Sequence, residues 1–208
     1  MSSESKASSK SAYTNTNDHI YFKSNKQNGY AFLSSFYPDV DEKAKQAVYD
    51  LFDLSADDIE QAELPFIVDD KEYKTREHYY QSEKWQRYPL IAEDILTQPT
   101  AVDAKKRNTF WKHQLEKRKR LPEQLVLDTR FKAPTGLTED ELLDIMYQGA
   151  YQQYRQNPVL SFLLLSTENQ NLSEIPGRSG GGLWAAGSTG QDRLGEILEQ
   201  IRDNLLVT

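Results

Sequence analysis

Residues 72–84 read Glu-Tyr-Lys-Thr-Arg-Glu-His-Tyr-Tyr-Gln-Ser-Glu-Lys. They place a carboxylate at Glu77, an amide at Gln81 and an amine at Lys84, four and then three residues apart. On an α-helix these intervals bring all three groups onto one face. The spacing alone is compatible with a functional stripe between aromatic flanks and with an ordinary solvated face that carries two opposite charges.

The sequence around this stretch predicts a mostly helical domain. Ile20 to Lys23 is typical of a strand, and residues 66–68 and 71–74 are typical of a hairpin with Asp69-Asp70 as its turn. Apolar spacing and capping residues predict helices from 41 to 63, from Thr75, over 90–97 and 101–120, and from Thr138, Asn157 and about Gln191. The expected fold class is therefore α+β, a single domain of many helices packed around a small β-sheet.

Two segments are expected to stand apart from this domain. Residues 1–18 are rich in Ser, Lys, Asn and Thr and have almost nothing apolar to bury, so we predict a disordered tail there and a folded domain over 19–208. Residues 40–63 combine a helical pattern with many acidic side chains. We predict that they form a helical insertion on the surface of the domain.

Composition limits the classes of function. The chain has 208 residues, a formal net charge of −7 and no cysteine. The charge provides no large basic field for nucleic acid, and the missing thiols exclude disulfides and cysteine nucleophiles. The N-terminus lacks the apolar segment of a signal peptide, and no apolar run reaches the length of a membrane span. A cytoplasmic location without membrane association is the expectation.

The segment from Glu174 to Gly190 differs from the rest of the chain. It holds six of the ten glycines, with Trp184 among them. Glycines let the backbone approach a ligand, and the helix that begins near Asp192 could receive a phosphate at its amino end. The segment lacks the lysine of a P-loop, which rejects nucleotide hydrolysis of that type. The alternative is a mobile surface loop with no ligand.

Other chemistries find no support in the sequence. His19, His78 and His113 show no spacing typical of metal ligands, so we expect no metal site. No Gly-x-Ser-x-Gly motif is present, which argues against a serine hydrolase.

Several blocks of the chain resemble the NADAR family, the YbiA-like N-glycosidases, in the family's order. Tyr73 to Lys84 is similar to the helix Tyr-x-x-x-Glu-His-x-Tyr-Gln-x-x-Lys, and Ala31 to Phe36 is similar to Gly-x-Leu-Ser-Asn-Phe, with Ser35 in place of Asn. Weaker similarities lie at Ala104-Lys105, Gln156-Asn157-Pro158, Glu174, Trp184 and Gly190 to Gly195. The resemblance covers residues 20–206.

The chain also departs from the family's pattern. The interval between Glu174 and Trp184 is longer than usual and contains Arg178 to Gly182 where an Asp is expected. Ala185 stands where the family has Gly, and Asp192 where it has Asn. These changes fall where substrate would be bound. Either the substrate differs from the family's usual one, or activity has been lost.

The resemblance implies hydrolysis of the N-glycosidic bond of a ribosylated base. The substrate would be a ribosylaminopyrimidine phosphate of riboflavin synthesis or ADP-ribosylated guanine, and the partner a small nucleotide-like molecule or ADP-ribosylated DNA. The alternative is a non-catalytic sensor that binds ADP-ribose or a nucleotide. No cofactor is expected, and the oligomeric state is not readable.

The expected site follows from the matched blocks. Glu77 would stabilise positive charge on the sugar or activate water, and Lys84 would attack the anomeric carbon or act as an acid. An attacking lysine must be uncharged, so burial or nearby Arg87 would have to outweigh the effect of Glu77 on its pKa. The expected substrate-binding residues are Ser34, Phe36, Tyr80, Gln81, Glu174, Trp184, Gly190, Asp192 and Arg193.

Overall fold

The computed structural model of the chain describes residues 13–118, 130–177 and 182–207. Within these ranges the strands are β1 (His19–Phe22), β2 (Phe66–Val68), β3 (Lys71–Tyr73) and β4 (Asn171–Glu174). The helices are α1 (Glu42–Phe52), α2 (Ala56–Ala62), α3 (Arg76–Glu83), α4 (Pro89–Leu96), α5 (Ala101–Arg118), α6 (Glu139–Gln156), α7 (Pro158–Leu165) and α8 (Arg193–Leu205). The predicted α+β fold class is confirmed.

The described strands form two small sheets where one was predicted. β1 pairs in parallel with β4, with Ile20 opposite Leu172, and β2 pairs antiparallel with β3. The turn of the β2–β3 hairpin is Asp69-Asp70, and both residues have positive φ, 49° and 60°. Two consecutive residues in this conformation match the twist of a tight hairpin, so the predicted hairpin is confirmed.

Side-chain caps start the helices that were predicted from sequence. The Thr75 side chain accepts a hydrogen bond from the backbone N–H of His78 at the start of α3, and that of Asn157 accepts one from Leu160 at the start of α7. Thr138 and Glu141 form a reciprocal capping box at α6. These bonds satisfy backbone donors that have no partner within the helix. They fix where α3 begins and hence which of its faces is buried.

The main core lies between β1, the turn at Ala31–Leu33 and the helices α6, α7 and α8. The 40–63 segment is helical as predicted, but it is more than a surface addition, because Ala44, Val48 and Ala62 are buried in this main core. A second cluster packs Trp85 and Tyr88 against α4 and α5. Helix α3 contributes Tyr80 to the main core and Tyr79 to a third cluster, with Phe66 and Tyr73.

The chain before β1 is partly packed onto the domain. Residues 1–12 of the predicted disordered tail lie outside the described residues. Residues 13–18 differ from the prediction, because Thr16 forms a backbone bridge with His19 and the Tyr13 ring meets Tyr21 edge-on at 5.4 Å. The Asn15 side chain also accepts a hydrogen bond from the Tyr21 N–H. Across the described ranges, no helix is both long and apolar enough to cross a membrane.

Candidate active site

Helix α3 carries Glu77, Gln81 and Lys84 into the wall of one cavity of about 400 Å³. All three side chains are buried, with exposed fractions of 3–4%. The solvated-face interpretation of the sequence is therefore wrong. The cavity, here called the lysine cavity, is lined by Lys23, Ser24, Ser35, Phe36, Glu77, Tyr80, Gln81, Lys84, Lys105, Met146, Glu174, Ile175, Gly177, Trp184, Ala185 and Leu194.

Both carboxylate oxygens of Glu77 accept hydrogen bonds. The Ser35 hydroxyl donates to Oε2 at 2.9 Å, and the Gln81 amide donates to Oε1 at 2.7 Å. The Lys105 ammonium lies 4.0 Å from Oε1. These contacts fix the orientation of the Glu77 carboxylate at the cavity wall.

Burial makes the Lys84 amine unusually weakly basic. It lowers the pKa of Lys84 to about 7, and the positive charges of Lys112 and Lys105 act in the same direction against the opposing effect of Glu77. Arg87, which the sequence suggested for this role, is not among the causes. The Lys84 Nζ donates to Gln81 Oε1 at 2.5 Å and lies 4.1 Å from the centre of the Tyr80 ring. A large fraction of the amine is thus uncharged at neutral pH, as a nucleophile requires.

A second carboxyl group faces the lysine cavity from the end of β4. Burial raises the pKa of Glu174 to about 7, and the negative charge of Glu77 adds to this effect. Lys105 and Arg76 partly oppose the rise. Glu174 therefore keeps a proton for much of the time near neutral pH, in the same cavity as the hydrogen-bonded carboxylate of Glu77.

Aromatic rings complete the cavity wall. Tyr80 meets Trp184 edge-on, with ring centres 5.1 Å apart. Phe36 lies on the side of Lys105, whose ammonium is 5.3 Å from the ring centre. Flat apolar faces beside a few charged groups are typical of sites that bind a nucleobase or a sugar.

Four of the predicted substrate-binding residues do not line the cavity. Ser34 is fully buried and is not among the lining residues. Gly190 packs against the loop itself, since an added Cβ would lie 2.0 Å from the Ala185 carbonyl oxygen. The Asp192 side chain accepts hydrogen bonds from the Ser173 hydroxyl and the Glu174 N–H. Arg193 lies in a separate surface cleft and pairs with Glu196.

The predicted phosphate site at the start of α8 is also absent from the described structure. The N–H groups of Arg193 and Leu194 donate to the carbonyls of Leu183 and Trp184, at 3.0 and 3.2 Å. Because these amides already have partners, they are not available to an anion. Residues 178–181 of the glycine-rich segment lie outside the described residues.

Sequence reasoning left four polar residues of the cavity out of the predicted site: Lys23, Ser24, Ser35 and Lys105. Ser35 and Lys105 both lie in blocks that carry the family resemblance, which was the available signal. Lys23 follows β1 directly, and its ammonium donates to the Pro176 carbonyl at 3.2 Å. No group of three or more His, Asp or Glu side chains is arranged for a metal ion anywhere in the described ranges.

The fold and the cavity together define a class: a mostly helical α+β domain in which a buried lysine and two carboxyl groups line one cavity. The sequence pattern of the NADAR domain matches residues 21–206, and the chain belongs to the NADAR family. Its fold is similar to the NMR structure of the E. coli protein YbiA, with a TM-score of 0.57 and 19% sequence identity over 95% of this chain and 90% of that one. No curated protein matches the sequence.

Proposed function

We propose that the protein is an N-glycosidase that hydrolyses the bond between the anomeric carbon of a ribose and a nitrogen of its base. The observation that carries the proposal is the convergence of Lys84, Glu77 and Glu174 on one cavity with aromatic walls. The lowered pKa of Lys84 and the raised pKa of Glu174 support it, because each group can then supply the form that the reaction needs near neutral pH.

In the proposed reaction the uncharged Lys84 amine attacks the anomeric carbon. A nitrogen–carbon bond forms, the bond to the base breaks, and its electron pair leaves with the base, which takes a proton from the Glu174 carboxyl group. The attached nitrogen then gives a proton to the ring oxygen as the ribose ring opens, which leaves a protonated imine. Water adds to the imine carbon, the sugar leaves as its aldehyde, and the proton released returns to Glu174 while the neutral Lys84 amine is regenerated. The Glu77 carboxylate offsets the positive charge that develops on the sugar.

A second course of the same reaction uses Lys84 as the acid. Water activated by Glu77 then attacks the anomeric carbon, and the Lys84 ammonium protonates the departing base. The two courses differ in whether a covalent adduct forms. Borohydride added during turnover should trap the imine on wild-type protein and on the control variant Lys106→Ala, but not on Lys84→Ala. Turnover without any trapped adduct favours the second course.

Two substrates suit the proposal: a ribosylaminopyrimidine phosphate and ADP-ribosylated guanine, free or in DNA. Both carry phosphate, and Lys23 and Lys105 at the cavity are suitable partners for it. The net charge of −7 favours the smaller substrate, because little positive surface is available to hold a DNA backbone.

The test is release of free base from both ribosylated substrates, followed chromatographically. Glu77→Gln should lower the turnover rate at least about 100-fold, because it removes the charge that stabilises the transition state. Glu93→Gln is the matched control, since Glu93 is an exposed carboxylate on α4. Tight binding of ADP-ribose with no release of base from either substrate would instead support the non-catalytic sensor.

A further inference from the structure

Arg76 is a fully buried arginine immediately before Glu77 in α3. One of its nitrogens, Nη2, donates to three successive backbone carbonyls, those of Phe32, Leu33 and Ser34, at 3.3, 2.9 and 2.8 Å. The guanidinium carbon lies 5.2 Å from the centre of the Tyr154 ring. No carboxylate forms an ion pair with Arg76 among the described residues.

The three carbonyls lie at the end of the 3-10 turn Ala31–Leu33. The Ser34 carbonyl also accepts a hydrogen bond from the Tyr37 N–H at 3.1 Å, and the Phe32 carbonyl accepts one from the Tyr154 hydroxyl at 3.4 Å. Arg76 adds a charged donor to all three carbonyls and complements the dipole at the end of the turn. Burying a guanidinium without a carboxylate in direct contact is costly, and Glu174 acts on Arg76 only through its charge. Nε and Nη1 of Arg76 have no hydrogen-bond partner in the described ranges. The position therefore favours a charged donor over the apolar side chains that fill the surrounding core.

The turn held by Arg76 leads directly to Ser35. The Ser35 carbonyl accepts a hydrogen bond from the Glu77 N–H at 2.9 Å, and the Ser35 hydroxyl donates to Glu77 Oε2, also at 2.9 Å. Ser35 thus contacts both the backbone and the carboxylate of Glu77. Arg76 holds the carbonyl of Ser34, the residue immediately before Ser35.

We propose that Arg76 is a positioning residue for the active site. It holds the carbonyls of residues 32–34, this fixes Ser35, and Ser35 orients the Glu77 carboxylate toward the cavity. The proposal rests on the proposed function for its effect on catalysis, but its geometric part can be tested without turnover. It also predicts which substitution rescues the arginine. Because a single nitrogen makes all three bonds, an ammonium with its three hydrogens can replace it.

The experiment compares Arg76→Lys with Arg76→Met, with Arg202→Met as the matched control. Arg202 is also a buried arginine, but it donates to Thr167 and to the Gln170 carbonyl and does not line the cavity. Arg76→Met should lower kcat at least about ten-fold with KM within about two-fold, and Arg76→Lys should keep kcat within about three-fold of wild type. Arg202→Met should lower the melting temperature and leave kcat unchanged.

Crystal structures of the variants make the result independent of activity. In Arg76→Met the Ser35 hydroxyl should lie beyond hydrogen-bonding distance of Glu77, and in Arg76→Lys the bond should persist. If the bond between Ser35 and Glu77 is retained in Arg76→Met, the proposal is overturned. It is also overturned if the loss of kcat in each of the three variants is proportional to its loss of melting temperature. Absence of base release by the wild-type protein refutes the proposed function, and the crystal structures then still decide the role of Arg76.

Discussion

The hydroxyl of Ser35 donates to Glu77 Oε2 at 2.9 Å, although the two residues are 42 positions apart in the chain. Together with the donation from Gln81 to Oε1, this bond leaves the carboxylate one orientation. An anion that is already oriented needs no reorganisation when positive charge develops on the sugar. Ser35 is therefore expected to affect turnover more than substrate binding.

Replacing Ser35 by Ala should lower kcat about ten-fold, because one hydrogen bond to a charged group is lost while the fold is kept. Ser35→Asn should keep most of the activity, since its amide can donate to the same oxygen. The measurement is steady-state base release by both variants, with Ser166→Ala as the control for losing an exposed hydroxyl. Equal kcat for Ser35→Ala and wild type would contradict this role.

The rate should depend on pH in a narrow bell with its maximum near pH 7. Burial lowers the pKa of Lys84 to about 7, so activity should rise as the pH increases and this amine loses its proton. Burial raises the pKa of Glu174 to about 7, so activity should fall as the pH increases further and this carboxyl group loses its proton. Glu174→Gln should abolish the alkaline fall, because the amide does not titrate, and should reduce the maximum rate. The check is kcat/KM measured from about pH 5 to about pH 9. An alkaline fall that survives in Glu174→Gln would assign the acid to another group.

Lys84→Met should stabilise the protein while removing activity. Burial lowers the pKa of Lys84 in the folded state. Keeping this amine charged at low pH therefore reduces the free energy of unfolding. That reduction is fully present below about pH 7 and fades as the pH rises toward the unfolded pKa of about 10.4. The melting temperature of Lys84→Met should therefore exceed that of wild type most at acidic pH, and the difference should shrink above about pH 7. A difference that grows with pH would contradict burial as the cause.

Gly195→Ala should destabilise the fold by about 2 kcal/mol or more, although alanine favours helices. An added Cβ would lie 1.8 Å from the Leu172 carbonyl oxygen, because α8 packs directly onto β4. The matched control is Gly136→Ala, where an added Cβ would have no neighbour within 4 Å. Urea unfolding of both variants gives the comparison. Equal stabilities would mean that α8 lies further from β4 than the structure shows.

Local chemistry made much of the fold predictable. Thr75, Thr138 and Asn157 start helices through bonds to residues only three positions away, so their sequence patterns were sufficient. Glu77, Gln81 and Lys84 are also only three or four positions apart, so helical geometry alone predicted that they share one face. Strand β4 was not predicted, because Leu172 is its only apolar residue and its partner β1 lies about 150 positions earlier.

The rest of the site depends on contacts that the sequence does not display. Ser35 and Lys105 reach Glu77 from separate segments, so their roles emerge only from the packing. Arg193 was expected to bind substrate because it lies in the Gly190 to Gly195 block of the family resemblance. The folded segment instead uses the first amides of α8 for its own carbonyls, and the Arg193 side chain pairs with Glu196 outside the cavity.

The parallel pairing of β1 with β4 has a consequence for the protein during its synthesis. Lys84 emerges from the ribosome well before Glu174 and Trp184, which complete the wall around it. Until those residues arrive, we expect the amine to be more exposed to water and its pKa to be closer to that of an ordinary lysine. We therefore expect the lowered pKa of Lys84 only in chains that extend past Trp184, so that a shorter translation product would carry the lysine without the proposed reactivity.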